Sequence, residues 1–212
     1  MVTSYRIAKN QRAHNDYVQA PLFFETFPYT GLVKTYSYSN HVTDSAASAV
    51  AMYTGRKVDN GYLGMRAGVL KKCTTEPDDL IEDGIGDRAV DKGIAVGVVT
   101  NTRITHGTPA ALYAKGVQRK LEYDVRNKTT SEVLCSNDIA LQILNRPAIE
   151  FQVLMGGGRA YLMDATRSGK RSDGRNIDVE WENSGGKRKV LRSRRELEQY
   201  EASENEKVLG EL

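Results

Sequence analysis

The chain has 212 residues, 40% of them hydrophobic and 27% charged, with a net charge of +3. That composition is ordinary for a soluble globular protein, and the length suits one sizeable core or a large piece of a bigger domain. The mild positive charge does not call for a nucleic-acid partner, and no apolar run approaches the roughly 20 residues that span a bilayer.

The N-terminus, Met1-Val2-Thr3-Ser4-Tyr5-Arg6, is polar and has no signal-peptide core. Residues 2–13 read as a helix with Tyr5 and Ile7 as packing residues. Ala20 to Phe27 reads as a short apolar loop, and Lys34-Thr35-Tyr36-Ser37-Tyr38 has strand propensity. Asp44 to Tyr53 is a strong helix: polar at its start, rich in alanine, and stopped by Thr54-Gly55. Pro77 to Asp91 reads as a second helix closed by Lys92-Gly93, although Gly84 and Gly86 interrupt it. Ile94 to Thr100 is nearly continuous apolar sequence, which predicts a strand buried on both faces of a parallel sheet. Asp138 to Leu144 reads as helical. Phe151 to Met155 reads as a second buried strand ending in Gly156-Gly157-Gly158. Strands alternating with helices predict an α/β sandwich. Periodicity fades after Asp164. Arg167 to Arg195 is rich in Gly, Ser, Lys and Arg, and Arg195 to Glu201 reads as a last helix. The cluster Lys187-Arg188-Lys189 with Arg192, Arg194 and Arg195 fits an anion patch or a solvated loop. No aromatic residues interleave with the charges, which favours the loop over a nucleic-acid surface.

Several residues have the right chemistry for a site. Ser45 sits in the first turn of a helix, where free N–H groups and the helix dipole favour a phosphate or a developing oxyanion. The competing reading is a capping residue, with Asp44 or Ser45 satisfying those amides. His41 precedes Ser45 by four residues but reads as surface, so a serine nucleophile here requires a metal to activate it. Thr102 to Pro109 follows the buried strand, where open α/β sheets build sites. His106 and Thr108 there can serve a metal or simply form a polar turn. Arg119 offers a guanidinium fork suited to phosphate, but it is one of 30 basic residues. Cys73 and Cys135 have no zinc-site spacing and fit two buried thiols or a disulfide. Asn127-Lys128-Thr129 is a glycosylation sequon.

Taken together, the segments Val42-Thr43-Asp44-Ser45-Ala46-Ala47-Ser48-Ala49, Val96 to Arg103, His106-Gly107-Thr108-Pro109-Ala110, Arg119, and Gly156-Gly157-Gly158-Arg159 resemble the animal branch of the alkaline phosphatase family. The resemblance runs from about residue 2 to about residue 200. It implies a three-layer αβα sandwich around a central, mostly parallel sheet, of which residues 1–212 form an incomplete part. It implies that Ser45 is phosphorylated during turnover and contacts one zinc. Asp44 orients Arg119, and Arg119 binds the substrate phosphate. Thr108 matches a magnesium ligand, with His106 beside it. Cys73 and Cys135 match a family disulfide, and Asn127 falls in a loop compatible with a glycan.

The family's site takes two zinc ions and one magnesium, whereas His14, His41 and His106 are the only histidines here. The expectation is therefore that the metal aspartate of the family's first strand precedes this chain, that the other ligands follow Leu212, and that Met1 is an internal methionine or a misplaced start. The segment after Gly158-Arg159 does not clearly supply the carboxylate that opens the family's calcium site. The expected function is phosphate monoester hydrolysis by a full-length parent, with this polypeptide inactive by itself; the alternative is a non-catalytic binding protein on the same fold. The resemblance further implies a homodimer at the outer face of the plasma membrane or secreted, with signal peptide and lipid-anchor signal outside this chain.

Overall fold

A computed structural model describes residues 2–12 and 21–211, which divide into a unit up to Lys34 and a unit from Thr35 onward. In the first unit, helix α1 (Val2–Arg12) and a 3-10 turn (Phe23–Thr26) are joined by an Arg6–Glu25 ion pair. Tyr5 and Ile7 are both exposed, contrary to expectation, and Asn10 is the buried residue of α1. Two residues apart on a helix do not share a face, so this pair cannot form a packing stripe. Residue 13, the expected helix end, and His14 and Ala20 lie outside the described residues.

The second unit is α/β. Its main sheet holds four parallel strands in the order β2-β4-β6-β5: β2 (Gly97–Arg103), β4 (Val153–Gly157), β5 (Arg188–Leu191) and β6 (Lys207–Glu211). A short antiparallel pair, β1 (Tyr62–Leu63) and β3 (Val117–Gln118), stands apart from it. The helices are α2 (Ser45–Thr54), α3 (Ile85–Asp91), α4 (Gly107–Ala110), α5 (Arg159–Leu162), α6 (Ile177–Glu182) and α7 (Arg194–Glu198). Leu154, Ile104, Ile139, Ile143, Leu162, Ile177, Trp181, Val190 and Leu209 are buried together in one core.

Several expected elements shift, and each shift has a local cause. Lys34 to Tyr38 forms no strand. Ser37 N–H donates to Asn40 O in a local turn, and the single bond of Tyr38 N–H to Val58 O is not extended into a ladder. The helix expected over Pro77–Asp91 is broken: a 3-10 turn covers Pro77–Asp79, and Leu80 then leaves in extended conformation to bridge Met65. Helix α3 begins only after Gly84, where a Cβ would stand 3.2 Å from Tyr53 O, a tight fit for any larger residue. Strand β2 begins three residues later than expected and is not buried on both faces: it lies at the sheet edge, with Val99 75% exposed and Ile94 57% exposed. Only a 3-10 turn (Leu141–Leu144) regularises the Asp138–Leu144 segment, and the last helix is shorter than read, at Arg194–Glu198.

The largest correction concerns the basic stretch. Arg188–Leu191 is a strand with Val190 and Leu191 buried, so Lys187–Arg195 is not a solvated loop. Two of its arginines are ion-paired: Arg192 with Asp178 and Glu182, and Arg194 with Glu198. No helix among the described residues is long and apolar enough to cross a membrane.

Candidate active site

The site forms where α2 starts. Asp44 is the N-cap, its side chain accepting from Ala47 N–H at 2.9 Å, and Gly55 closes the helix in left-handed conformation. The loop before it is held by Asn60, whose Oδ1 accepts from Asp44 N–H at 3.2 Å while its Nδ2 donates to Val42 O at 3.1 Å. Ala46, Ala47, Ala49 and Val50 are buried. Small residues are required on this face because α4 packs directly on it: a Cβ on Gly107 would stand 3.2 Å from Ala46 N. That contact brings the turn bearing His106 and Thr108 beside the start of α2.

Arg119 arrives from another direction. It follows β3, which pairs with β1 in the register Tyr62↔Gln118, and its own N–H donates to Gly61 O at 2.8 Å. Val117 also bridges Cys73, and Cys73 is disulfide-bonded to Cys135, so the disulfide anchors the segment that delivers Arg119. Gly116, just before β3, has φ +70°, and a Cβ there would fall 2.1 Å from Thr74 O, so only glycine fits.

These elements converge on one guanidinium. Arg119 Nη1 donates to Asp44 Oδ2 at 3.0 Å and to Ser45 Oγ at 2.7 Å, and Nη2 lies 2.9 Å from His106 Nε2. Arginine has no acceptor, so the imidazole Nε2 must accept and the ring is neutral in this arrangement. Burial pushes the Asp44 carboxyl up, but the Ala47 amide and Arg119 together outweigh it and hold it below its usual value. Burial, with the charges of Arg119 and Arg103, pushes His106 down. Ser45, Asp44 and His106 thus meet around the Arg119 guanidinium. Thr108, half-buried in α4, stands next to the Gly107 contact. His41 is exposed.

Sequence reading missed the layer behind this cluster. Arg103 donates from Nε and Nη2 to Glu122 at 2.8 and 2.7 Å, and Thr105 Oγ1 donates to the same carboxylate at 2.7 Å. Nothing local connects positions 103, 105 and 122; only the pairing of β2, α4 and the turn after β3 does. Asn60 was missed for the same reason.

The donor set is short for a metal site. Zinc takes three or four protein ligands of N, S or O type, whereas Ser45 Oγ and His106 Nε2 are already engaged with Arg119. Among the described residues no group of three or more His, Cys, Asp or Glu side chains is arranged to hold a metal ion. The acids of the 164–178 segment are likewise occupied: Asp164 by Thr166, Arg167 and Asn176, Asp173 by Arg171, and Asp178 by Arg167 and Arg192. The residues described therefore do not by themselves fit zinc, magnesium or calcium.

The alkaline phosphatase family model matches residues 1–212. A membrane-bound alkaline phosphatase of Bombyx mori is 36% identical over 97% of this chain and 40% of its own length. The tissue-nonspecific isozyme of Gallus gallus is 35% identical over 99% of this chain and 43% of its own. Among solved structures, Thermus thermophilus alkaline phosphatase superposes with a TM-score of 0.68 at 26% identity, covering 98% of this chain and 36% of that one. A mutant of the enzyme from the Antarctic bacterium TAB5, solved with Mg bound in its M3 site, gives a TM-score of 0.62 at 22% identity over 98% of this chain and 48% of that one. The chain thus spans less than half the length of these relatives, and with the α/β fold, the parallel sheet and the match along its whole length, it belongs to the alkaline phosphatase family.

Proposed function

We propose that this chain forms the serine- and arginine-bearing part of an active site that hydrolyses phosphate monoesters through a phosphoserine at Ser45. The observation that carries the reading is the contact of Arg119 with Ser45 Oγ at 2.7 Å, at the first turn of a ten-residue helix. A guanidinium and free helix amides together favour a phosphoryl group on that oxygen. In the first step Ser45 Oγ bonds to phosphorus, its proton passing to solvent, as the bond to the leaving alkoxide breaks and that alkoxide takes a proton from solvent; in the second, a water oxygen bonds to phosphorus as the Ser45 Oγ–phosphorus bond breaks, releasing phosphate and returning the serine hydroxyl. Arg119 steadies the equatorial oxygens and the serine oxygen as it loses its proton. Asp44 holds one edge of the guanidinium and His106 the other, so that the fork is pre-set rather than ordered on binding.

The whole enzyme is proposed to take two zinc ions and one magnesium, with Ser45 contacting zinc, Thr108 serving magnesium and His106 beside it. The remaining ligands are assigned to residues other than those described here, so no step is derived through a metal. The same reading treats residues 1–212 as part of the catalytic domain of a homodimer at the outer surface of the cell or secreted. It also places a glycan on Asn127, whose turn leaves Lys128, Thr129 and Thr130 exposed.

Two measurements test this. In the complete protein, Ser45→Ala abolishes acid-stable labelling by phosphate; persistent label would remove Ser45 as the nucleophile. The 212-residue chain by itself, supplied with zinc and magnesium, shows no phosphatase turnover; substantial turnover would overturn the assignment of ligands elsewhere.

A further inference from the structure

The contacts around Arg119 close into a ring. Arg119 Nη2 meets His106 Nε2 at 2.9 Å. Thr105, fully buried, precedes His106 and donates to Glu122 at 2.7 Å. Glu122 stands three residues beyond Arg119, in a turn held by Leu121 N–H to Gln118 O at 2.9 Å. Glu122 is itself only 8% exposed, and Arg103 saturates the rest of its carboxylate from two nitrogens. Arg103 is braced in turn: its charge lies 5.3 Å from the Tyr161 ring, and its Cβ backs onto Gly158.

We propose that Glu122 is a positioning residue for Arg119: it ties the turn carrying His106 to the turn carrying Arg119, and so fixes the direction of the second guanidinium nitrogen. The proposal rests on Arg119 being the phosphate-binding arginine. A buried carboxylate that accepts three hydrogen bonds from the Arg103–Thr105 segment joins that segment rigidly to its own turn, because leaving any of those bonds unmade is costly. Asp44 and Ser45 both hold Nη1, so without the His106 contact the fork can rotate about that edge. A rotated fork grips phosphate through one nitrogen in place of two.

The test uses the whole 212-residue chain and reads Arg119 directly, through the solvent exchange of its guanidinium N–H resonances, identified by their loss in Arg119→Lys. In Glu122→Gln, exchange at Arg119 rises about tenfold while the core amides of α2 and β4 keep their protection. Thr105→Val, which removes one hydrogen bond and leaves the Arg103–Glu122 pair, moves Arg119 the same way by a smaller factor. It decides the matter if Glu122→Gln does not fold. Unchanged exchange at Arg119 in the folded variants overturns the proposal. Inorganic phosphate supplies a second arm: its affinity falls about tenfold in Glu122→Gln, and Glu122→Gln adds nothing once Arg119→Lys has removed the fork. Additive losses would mean that Glu122 acts on the fold at large, and would overturn the proposal. A chain that shows the Arg119 exchange response but binds no phosphate in any form would sink the phosphate reading and leave the positioning role standing.

Discussion

Two arginine clusters in this molecule use the same side chains for opposite ends. In the 138–178 region Arg171 and Asp138 are both fully buried, joined by two hydrogen bonds at 3.0 and 3.1 Å, and Asp173 adds a second carboxylate. Burial works against the Arg171 charge, but Asp173 and Asp138 outweigh it and hold the guanidinium protonated. Asp178, also buried, is gripped by Arg167 and Arg192. At the start of α2, Arg119 has one carboxylate, a hydroxyl and an imidazole, and its side chain stays 23% exposed. A guanidinium saturated by carboxylates has nothing left for an anion. One offered weaker partners and some solvent can exchange them for phosphate. Two carboxylates and full burial at Arg171, against one carboxylate and partial exposure at Arg119, are what set these two guanidinium groups apart.

The sharpest way to break that contrast is to remove one member of each cluster. Asp138→Ala leaves Arg171 buried and short of a partner, and should destabilise the chain by about 3–5 kcal/mol in urea unfolding. Phosphate affinity at fixed folded fraction should stay within about twofold, since sites with no shared partners act independently. Arg119→Ala should do the reverse. A lost charged hydrogen-bond donor costs binding about 2–3 kcal/mol, roughly 30- to 150-fold in phosphate affinity, while a part-exposed pair contributes no more than about 1 kcal/mol to stability. If both variants lost stability equally, the two clusters would not differ in kind.

The acid response sharpens the contrast further. Burial pushes the Asp178 carboxyl up, but Arg167 and Arg192 outweigh it and hold its folded value below the usual one. A depressed carboxyl contributes stability above its unfolded value near 3.9, and that contribution is lost as pH falls through the lower, folded value. Thermal midpoints followed downward from pH 5 should therefore fall, and Asp178→Asn should flatten the part of that slope which Asp178 causes. An unchanged slope in the variant would show that the acid transition starts elsewhere.

How far the sequence reaches follows from what each feature depends on. Helix α2 was legible almost residue by residue, because a capping Asp44, a run of small residues and Gly55 all act within one segment. The meeting of Ser45 with Arg119 was legible only through resemblance, since 74 residues separate them. Strand β5 was hidden in a basic stretch because Arg188 is held by Ile149 O and the Trp181 ring, and Arg192 just beyond the strand by Asp178 and Glu182 of α6, and local composition cannot report those partners. The Pro77–Asp91 segment was misread because Leu80 and Ile81 pair with Met65 and Gly64, a tertiary demand that overrides helix propensity. Glu122 had no signal at all: a carboxylate in a turn looks solvated until Arg103 and Thr105 are seen to bond it.

The smallest effect expected is at Asp44, and it separates its two roles. Its carboxylate caps α2 through Ala47 N–H and also occupies Arg119 Nη1. Asparagine caps a helix about as well as aspartate, so Asp44→Asn should leave stability within about 0.5 kcal/mol. The substitution also removes a negative charge that stands where phosphate must approach and that competes for the same nitrogen. Phosphate affinity should then rise by about threefold at low salt, and the gain should fade toward 1 M salt, where the Debye length is near 3 Å. A loss of affinity would mean that the carboxylate's grip on Arg119 outweighs its repulsion of the ligand, and that the guanidinium depends on Asp44 as closely as Arg171 depends on Asp138.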